Sequence, residues 1–409
     1  MIRLLLLVLF ALPLLAERGI ADDLDSIRDS LTSGDQPVKI VCFGDSVTGV
    51  YYHTGGNRAY TDMLGIALQQ ICPEADVEMV NAGLSGHTTA NALARISRDV
   101  SSKGPDLVTV MFGLNDVAKL PIDAYRKNLL AIVDHCRATG SAVILCTPNA
   151  VITTENRPIE TLEKYCDVVR AVATEKGVPL CDLYGHFLTL QEADYVAWRA
   201  TLSDEIHPNM AGHKIMAEQI AKTITERSTS LTDIPPPALS LEKTLSLLRE
   251  GKPVRVIAMP PFDELIADSL RSVFPDAELN IETWPTKGLS LYQLRKDASH
   301  RIRKQKPDLV LVATPRDAAA KDREEFFHEQ TWIVNYALSF GKQEWDIVVI
   351  HPSVVAPSTA LSDRDRWIRS ITRAQDLNLV DRARQDTRSA GEIFSEWISS
   401  QLTAEKTAQ

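Results

Sequence analysis

Basic residues are in deficit: 44 Lys and Arg stand against 54 Asp and Glu, a net charge of −10 at pH 7. Without a cationic excess to neutralise phosphates, nucleic acid and anionic membrane are excluded as main partners. Metal and cofactor signatures are missing as well. No cysteine or histidine spacing resembles a zinc site, and neither HExxH nor a dinucleotide fingerprint occurs, so no metal or organic cofactor is implied. Long apolar runs are absent except at the start. Residues 4–16, after Met1-Ile2-Arg3, fall short of the ~20 residues a spanning helix needs, and small and acidic residues follow. This pattern reads as a signal peptide over residues 1–21, cleaved near Ala16 or Ala21. The protein is therefore expected to be secreted or periplasmic, with no membrane span once processed, and membrane-anchored if the segment is kept. The second half lacks cysteine altogether. All six, Cys42, Cys72, Cys136, Cys146, Cys166 and Cys181, lie in the first half. An even count in an exported protein permits disulfides without giving their pairing. Cys42, Cys146 and Cys181, in apolar runs, also read as small buried hydrophobes.

What remains is the composition of a soluble globular protein, 44% hydrophobic and 24% charged over 409 residues, long enough for two domains. Strand patterns at 38–43, 77–80, 107–112, 142–147 and 178–182 alternate with helical spacing at 60–71, 88–100, 123–139 and 160–176. A further helix is expected after Pro208, to about residue 223. Strands separated by helices predict a parallel sheet covered on both faces, with its site at the carboxyl edge. Residues 227–240, with Pro235-Pro236-Pro237, read as a linker.

Beyond it the pattern restarts. Pro253-Val254-Arg255-Val256 echoes Pro37-Val38-Lys39-Ile40, and Pro307-Asp308-Leu309-Val310 echoes Pro105-Asp106-Leu107-Val108. Runs at 345–350 and 377–381 match the fourth and fifth strands. The expected organisation is a catalytic domain over 37–226, the linker, and a second α/β domain over 241–405 that duplicates the first. The copy lacks the first half's polar segments: Pro260-Pro261-Phe262 replaces Gly44-Asp45-Ser46, and Pro315-Arg316-Asp317-Ala318 replaces Gly113-Leu114-Asn115-Asp116.

Four segments of the first half carry chemistry: Phe43-Gly44-Asp45-Ser46, Asn81-Ala82-Gly83, Gly113-Leu114-Asn115-Asp116 and Asp204-Glu205-Ile206-His207-Pro208. Acyl transfer needs a nucleophile, a base, a group that orients the base, and donors for the oxyanion. Ser46 follows the first strand and supplies a hydroxyl. His207 supplies the base, and Asp204, three residues earlier, its partner. Gly83 N–H and the Asn115 amide are oxyanion donors, together with Ser46 N–H. Taken singly, each has a plainer reading as a turn, cap or structural residue. His53, His87 and His213 are the rival histidines. A phosphate-binding loop at Gly44 to Gly49 fails, because Val50 and Tyr51 stand where Lys and Ser/Thr are required. Asp45 and Asp116 are expected to shape their loops, and Asp182 to be structural.

In order and content these segments resemble the blocks of the GDSL/SGNH hydrolase family, over roughly residues 37–223. The resemblance implies a flavodoxin-like α/β fold and a serine-dependent carboxylic ester hydrolase. The segment Tyr51 to Tyr60 is aromatic, polar and glycine-rich, which suits sugar rings better than a long acyl chain. Tyr51, His53, Asn57 and Arg58 are thus candidate substrate contacts, and an O-acetyl or other short acyl ester on a carbohydrate is the favoured substrate. A lysophospholipase or thioesterase, an acyltransferase, and a glycan-binding module with a vestigial enzyme half are the other readings. No oligomeric state follows from the sequence.

Overall fold

The computed structural model describes residues 20–49, 51–357 and 362–408. Most of the expected signal peptide lies outside the described residues. Ile20 and Ala21 already belong to a helix, Ile20–Ser33. It buries Leu24, Ile27 and Leu31, one helical stripe, and Arg28 donates to the Ile224 carbonyl at 2.7 Å. A cut near Ala21 would fall in its first turn.

Five strands come next along the chain: β1 (Val38–Gly44), β2 (Val77–Gly83), β3 (Leu107–Met111), β4 (Ala142–Cys146) and β5 (Leu180–Cys181). They form a parallel sheet in the order β2-β1-β3-β4-β5, the flavodoxin-like arrangement. β3 and β4 are buried along their whole length, which explains their unbroken apolar runs. Separate apolar cores fill the two faces, one around Ile40, Leu64 and Ile220, the other around Val41, Val110 and Ile132. Strand register fixes which loops are neighbours. Gly44 pairs with Gly83 on one side and Met111 on the other. The segments leaving β1, β2 and β3 therefore emerge side by side.

A second parallel sheet is built from β6 (Val254–Ala258), β7 (Leu279–Thr283), β8 (Leu309–Val312), β9 (Asp346–Ile350) and β10 (Asn378–Val380). Read from β7, its order is β7-β6-β8-β9-β10, the same topology as the first. The echoed sequences occupy matching places. Asp106 accepts from Lys39 N–H at 2.7 Å, and Asp308 accepts from Arg255 N–H at 2.9 Å.

The two units are in contact. Lys214 pairs with Asp376 at 2.8 Å where both side chains are nearly buried. Trp332 Nε1 donates to Glu205 at 3.1 Å, and the Tyr52 and Phe340 rings stack at 4.8 Å. The Pro-rich stretch 227–240 is fastened to the first unit. Leu231 is fully buried, Lys214 donates to the Ile234 carbonyl, and Arg58 donates to that of Pro235. All six cysteines are free buried thiols. Burial pushes Cys42 and Cys136 up to about 12, as inert small hydrophobes should be.

Candidate active site

Ser46 opens the short helix Ser46–Gly49 immediately after β1. Asp45 accepts from Val47 N–H at 3.0 Å and so caps that turn. Gly49 is where the chain passes against Gly83: a Cβ on Gly83 would lie 2.3 Å from Gly49 N, and one on Gly49 would lie 2.1 Å from the Gly83 carbonyl oxygen. Glycine is required at both for close approach of two backbones. Arg95, buried and lying over the Phe43 ring, donates to the carbonyls of Ala82 and Gly44 and holds the two loops together.

His207 arrives from the other end of the unit. Its loop is fixed by Ser203 N–H donating to the His207 carbonyl at 2.9 Å and by Asn149 donating to that of Ile206 at 3.0 Å. Asn209 then caps the helix Met210–Thr225 by accepting from Gly212 N–H. Ser46 Oγ lies 2.9 Å from His207 Nε2, and His207 Nδ1 lies 2.8 Å from Asp204 Oδ2. Asp204 Oδ1 accepts from the backbone N–H groups of Ile206 and His207 at 2.8 and 2.7 Å. The serine is 7% exposed, the histidine 9% and the aspartate 6%, so the chain of hydrogen bonds is largely dry. Burial works against the Asp204 charge, but His207, through charge and hydrogen bonding, holds the carboxyl well below its usual range. A carboxylate that stays ionised keeps the Nδ1–H tautomer of His207 and leaves Nε2 to accept the serine proton.

The Asn115 amide donates to Asp45 Oδ2 at 3.2 Å and to the His87 carbonyl at 3.1 Å, and its Oδ1 accepts from Arg157 at 3.2 Å. It therefore sits beside the Asp45-Ser46 turn. Gly83 N–H is directed at Asn81 Oδ1, 3.0 Å away. Both proposed donors thus have partners in this state. Burial pushes Asp45 up to about 6, against the stabilising Val47 N–H. Asp116 accepts from Thr89 through N–H and hydroxyl, and Asp182 pairs with Arg170 and caps the helix Leu183–Ala193.

The four candidate substrate contacts separate. His53 lies against the site, its ring stacked on His207 at 3.9 Å and 17°, but it is buried. Tyr51 is turned to Asn81, whose amide donates to its hydroxyl at 3.3 Å. Asn57 accepts from Gln343 at 2.5 Å, and Arg58 is held by Pro235. Of the rival histidines, His213 accepts from Tyr60 N–H, and the His87 carbonyl serves Asn115. Tyr52 belongs to no motif, although its ring lies edge-on to His207 at 6.1 Å and stacked on Phe340. Phe340 and Arg157 carry no local signal, since each reaches the site only through tertiary contacts. His53, Asp204 and His207 also bring three possible metal-ligand atoms within 4.8 Å of one another. Two imidazoles around one carboxylate account for the same cluster without a cation.

A buried serine, a tautomer-fixed imidazole and an ionised carboxylate can move an acyl group through a covalent ester. The chain belongs to the GDSL-like lipase/acylhydrolase family, whose model matches residues 42–215, and it is a carboxylic ester hydrolase. It is 31% identical over 209 residues to an acetylxylan esterase of Geobacillus stearothermophilus, covering 93% of that protein and 46% of this chain. It is 26% identical over 190 residues to an arylesterase of Vibrio mimicus, covering 88% of that protein and 46% of this chain. A crystal structure of acetylxylan esterase from Geobacillus stearothermophilus matches with a TM-score of 0.41 at 28% identity, over 46% of this chain and 94% of that one.

Proposed function

We propose that Ser46, His207 and Asp204 form the catalytic triad of an exported esterase that removes O-acetyl or other short acyl groups from carbohydrates. The observation that carries the reading is the unbroken line from Ser46 Oγ through His207 to Asp204. Ser46 Oγ attacks the ester carbonyl as His207 Nε2 takes its proton. The tetrahedral oxyanion draws on Ser46 N–H, Gly83 N–H and the Asn115 amide, the last two exchanging their present acceptors for it. Collapse breaks the bond to the alcohol, which leaves with the proton from His207. Water, deprotonated by the same nitrogen, then releases the acid and restores Ser46.

Two observations favour a sugar ester. Tyr52 and Phe340 present a stacked aromatic pair beside His207, with Phe340 55% exposed. Exposed aromatic faces bind the apolar faces of sugar rings. The acetylxylan esterase relative acts on the same class of ester. Leu84, 39% exposed directly after Gly83, supports a second reading, in which a longer acyl chain runs along that side, as a lysophospholipase or thioesterase requires. The second unit is a non-catalytic duplicate, supported by the shared strand order and the equivalent Asp106 and Asp308 hydrogen bonds.

The test is acetate release from acetylated xylan against a panel of ester chain lengths, with Ser46→Ala as control. Release by the wild type, lost in the variant by about 10³-fold or more, is the expected result. Preference for long-chain esters would favour the second reading. Transfer of acetyl to an added sugar without free acetate would indicate an acyltransferase.

A further inference from the structure

We infer that Asn335, in the second unit, fixes the tautomer of His53 so that His53 points its Nε2–H at Asp204, making the pair positioning residues for the base. The inference rests on the triad reading and assigns the second unit a part in it.

The orientation of the Asn335 amide is set by its surroundings. Arg303 donates to Asn335 Oδ1 at 3.0 Å and to its backbone carbonyl at 2.8 Å. A guanidinium only donates, so the amide nitrogen must face the other way. There it meets the Ser203 carbonyl at 3.1 Å, Ser203 Oγ at 2.8 Å and His53 Nδ1 at 3.2 Å. Ser203 Oγ also receives the Gln375 amide at 3.4 Å and lies 3.3 Å from His53 Nδ1. With two donors already aimed at its lone pairs, the Ser203 hydroxyl has its own proton to give. An amide nitrogen cannot accept a proton, and the Ser203 lone pairs are taken, so His53 Nδ1 must itself accept, from the hydroxyl. The neutral ring then carries its proton on Nε2.

That nitrogen is buried, makes no hydrogen bond of ordinary geometry, and lies 3.5 Å from Asp204 Oδ2, the oxygen that receives His207 Nδ1–H. The N–H dipole directed at the carboxylate steadies it. The other tautomer would turn a lone pair on the same oxygen. Charge near His53 is well defined. His207 is stacked on it, Asp204 lies at its edge, Tyr52 packs at 4.1 Å, and Arg303 and His213 act from farther off. Burial, then the charge of His207, keeps His53 neutral. It is thus a fixed dipole rather than a second base.

Nitrogen-15 NMR of the full chain, with labelled histidine, reads the tautomer directly. Wild type should show His53 as the Nε2–H form, and Asn335→Leu should show a mixture of forms. Kinetics on an aryl acetate across the pH range supply the consequence. His53→Phe keeps the stacked ring without its N–H. It should lower kcat about tenfold or more, as loss of an orienting outer-shell partner does. KM should hold and the acid limb should move up, because a less stabilised Asp204 carboxylate grips the imidazolium harder. His53→Gln returns an N–H near the same place and should recover most of the loss. An Nδ1–H tautomer in wild type, or equal losses in the Phe and Gln variants, would overturn the inference. Ser46→Ala separates the two levels: activity surviving in that variant defeats the triad reading, whereas a dead Ser46→Ala beside an unaffected His53→Phe defeats only this one.

Discussion

At the scale of single residues, Ser46, His207 and Asp204, the proposed nucleophile, base and orienter, stood out because their signal is local: a serine after a strand, and an aspartate three residues before a histidine. What could not be read was the use made of neighbours. His53 stands out as a polar group near Ser46, yet burial beneath His207 removes it from substrate. Asn57 and Arg58 sit in the same polar segment and are taken by Gln343 and Pro235, far along the chain. Burial also gives histidine a measurable effect on stability. His213 is pushed down to about 3, and His53 is also lowered. Below the ordinary histidine value the unfolded chain takes up protons that the folded chain refuses. Their contribution is therefore present at neutral pH and is lost as pH falls from about 6.5. Asp45, raised to about 6, works the opposite way between its ordinary value and that pH. Comparison with His213→Asn, which keeps an acceptor for Tyr60 N–H, isolates the histidine. Urea unfolding between neutral and mildly acid pH should lose up to about 1.4 kcal/mol per pH unit of that slope in the variant. An unchanged slope would count against it. Gly83→Ala places a methyl 2.3 Å from Gly49 N. Stability should fall by about 1–3 kcal/mol, and ester turnover by more than tenfold, as the β2 loop is forced from β1; wild-type turnover would contradict this.

At the scale of elements, the helix Tyr60–Ile71 and the strands β1, β3 and β4 lie where apolar periodicity placed them. The helices Leu183–Ala193 and Tyr195–Ala200 are not apparent in that periodicity. They begin at Asp182 and Asp194, whose caps on Gly185 and Ala197 are strong signals only once the helix is suspected. β5 is reduced to two residues because its pairing with β4 is brief. Phe340 lies just beyond the helix Arg323–Ala337 in the second unit, stacked on Tyr52 and 4.8 Å from the Arg303 guanidinium. Phe340→Ala should raise KM for an acetylated xylooligosaccharide by about 2–10-fold, the worth of one aromatic contact, and leave a small aryl acetate unaffected. Equal effects on both substrates would mean that the ring supports the fold rather than the sugar.

At the scale of the whole molecule, the echo of one half in the other was visible in sequence, and the shared strand order agrees with it. The packing of the units was not visible, since it depends on single long-range pairs. Lys214 and Asp376 form a nearly buried ion pair among these, and each is chemically anonymous in sequence. Asp376→Ala strands the Lys214 ammonium and should cost about 3–5 kcal/mol in urea unfolding; a loss below about 1 kcal/mol would show the pair to be solvated. The arrangement gives the first unit a neighbour that reaches His53 through Asn335 and Tyr52 through Phe340. All of this depends on Ser46 being the nucleophile. Labelling with a fluorophosphonate, with peptide mass analysis of the product, addresses that most directly. The adduct should appear on Ser46 alone, in step with loss of esterase activity, and be absent from Ser46→Ala. Inactivation with the label on another residue, or undiminished labelling of that variant, would contradict the account.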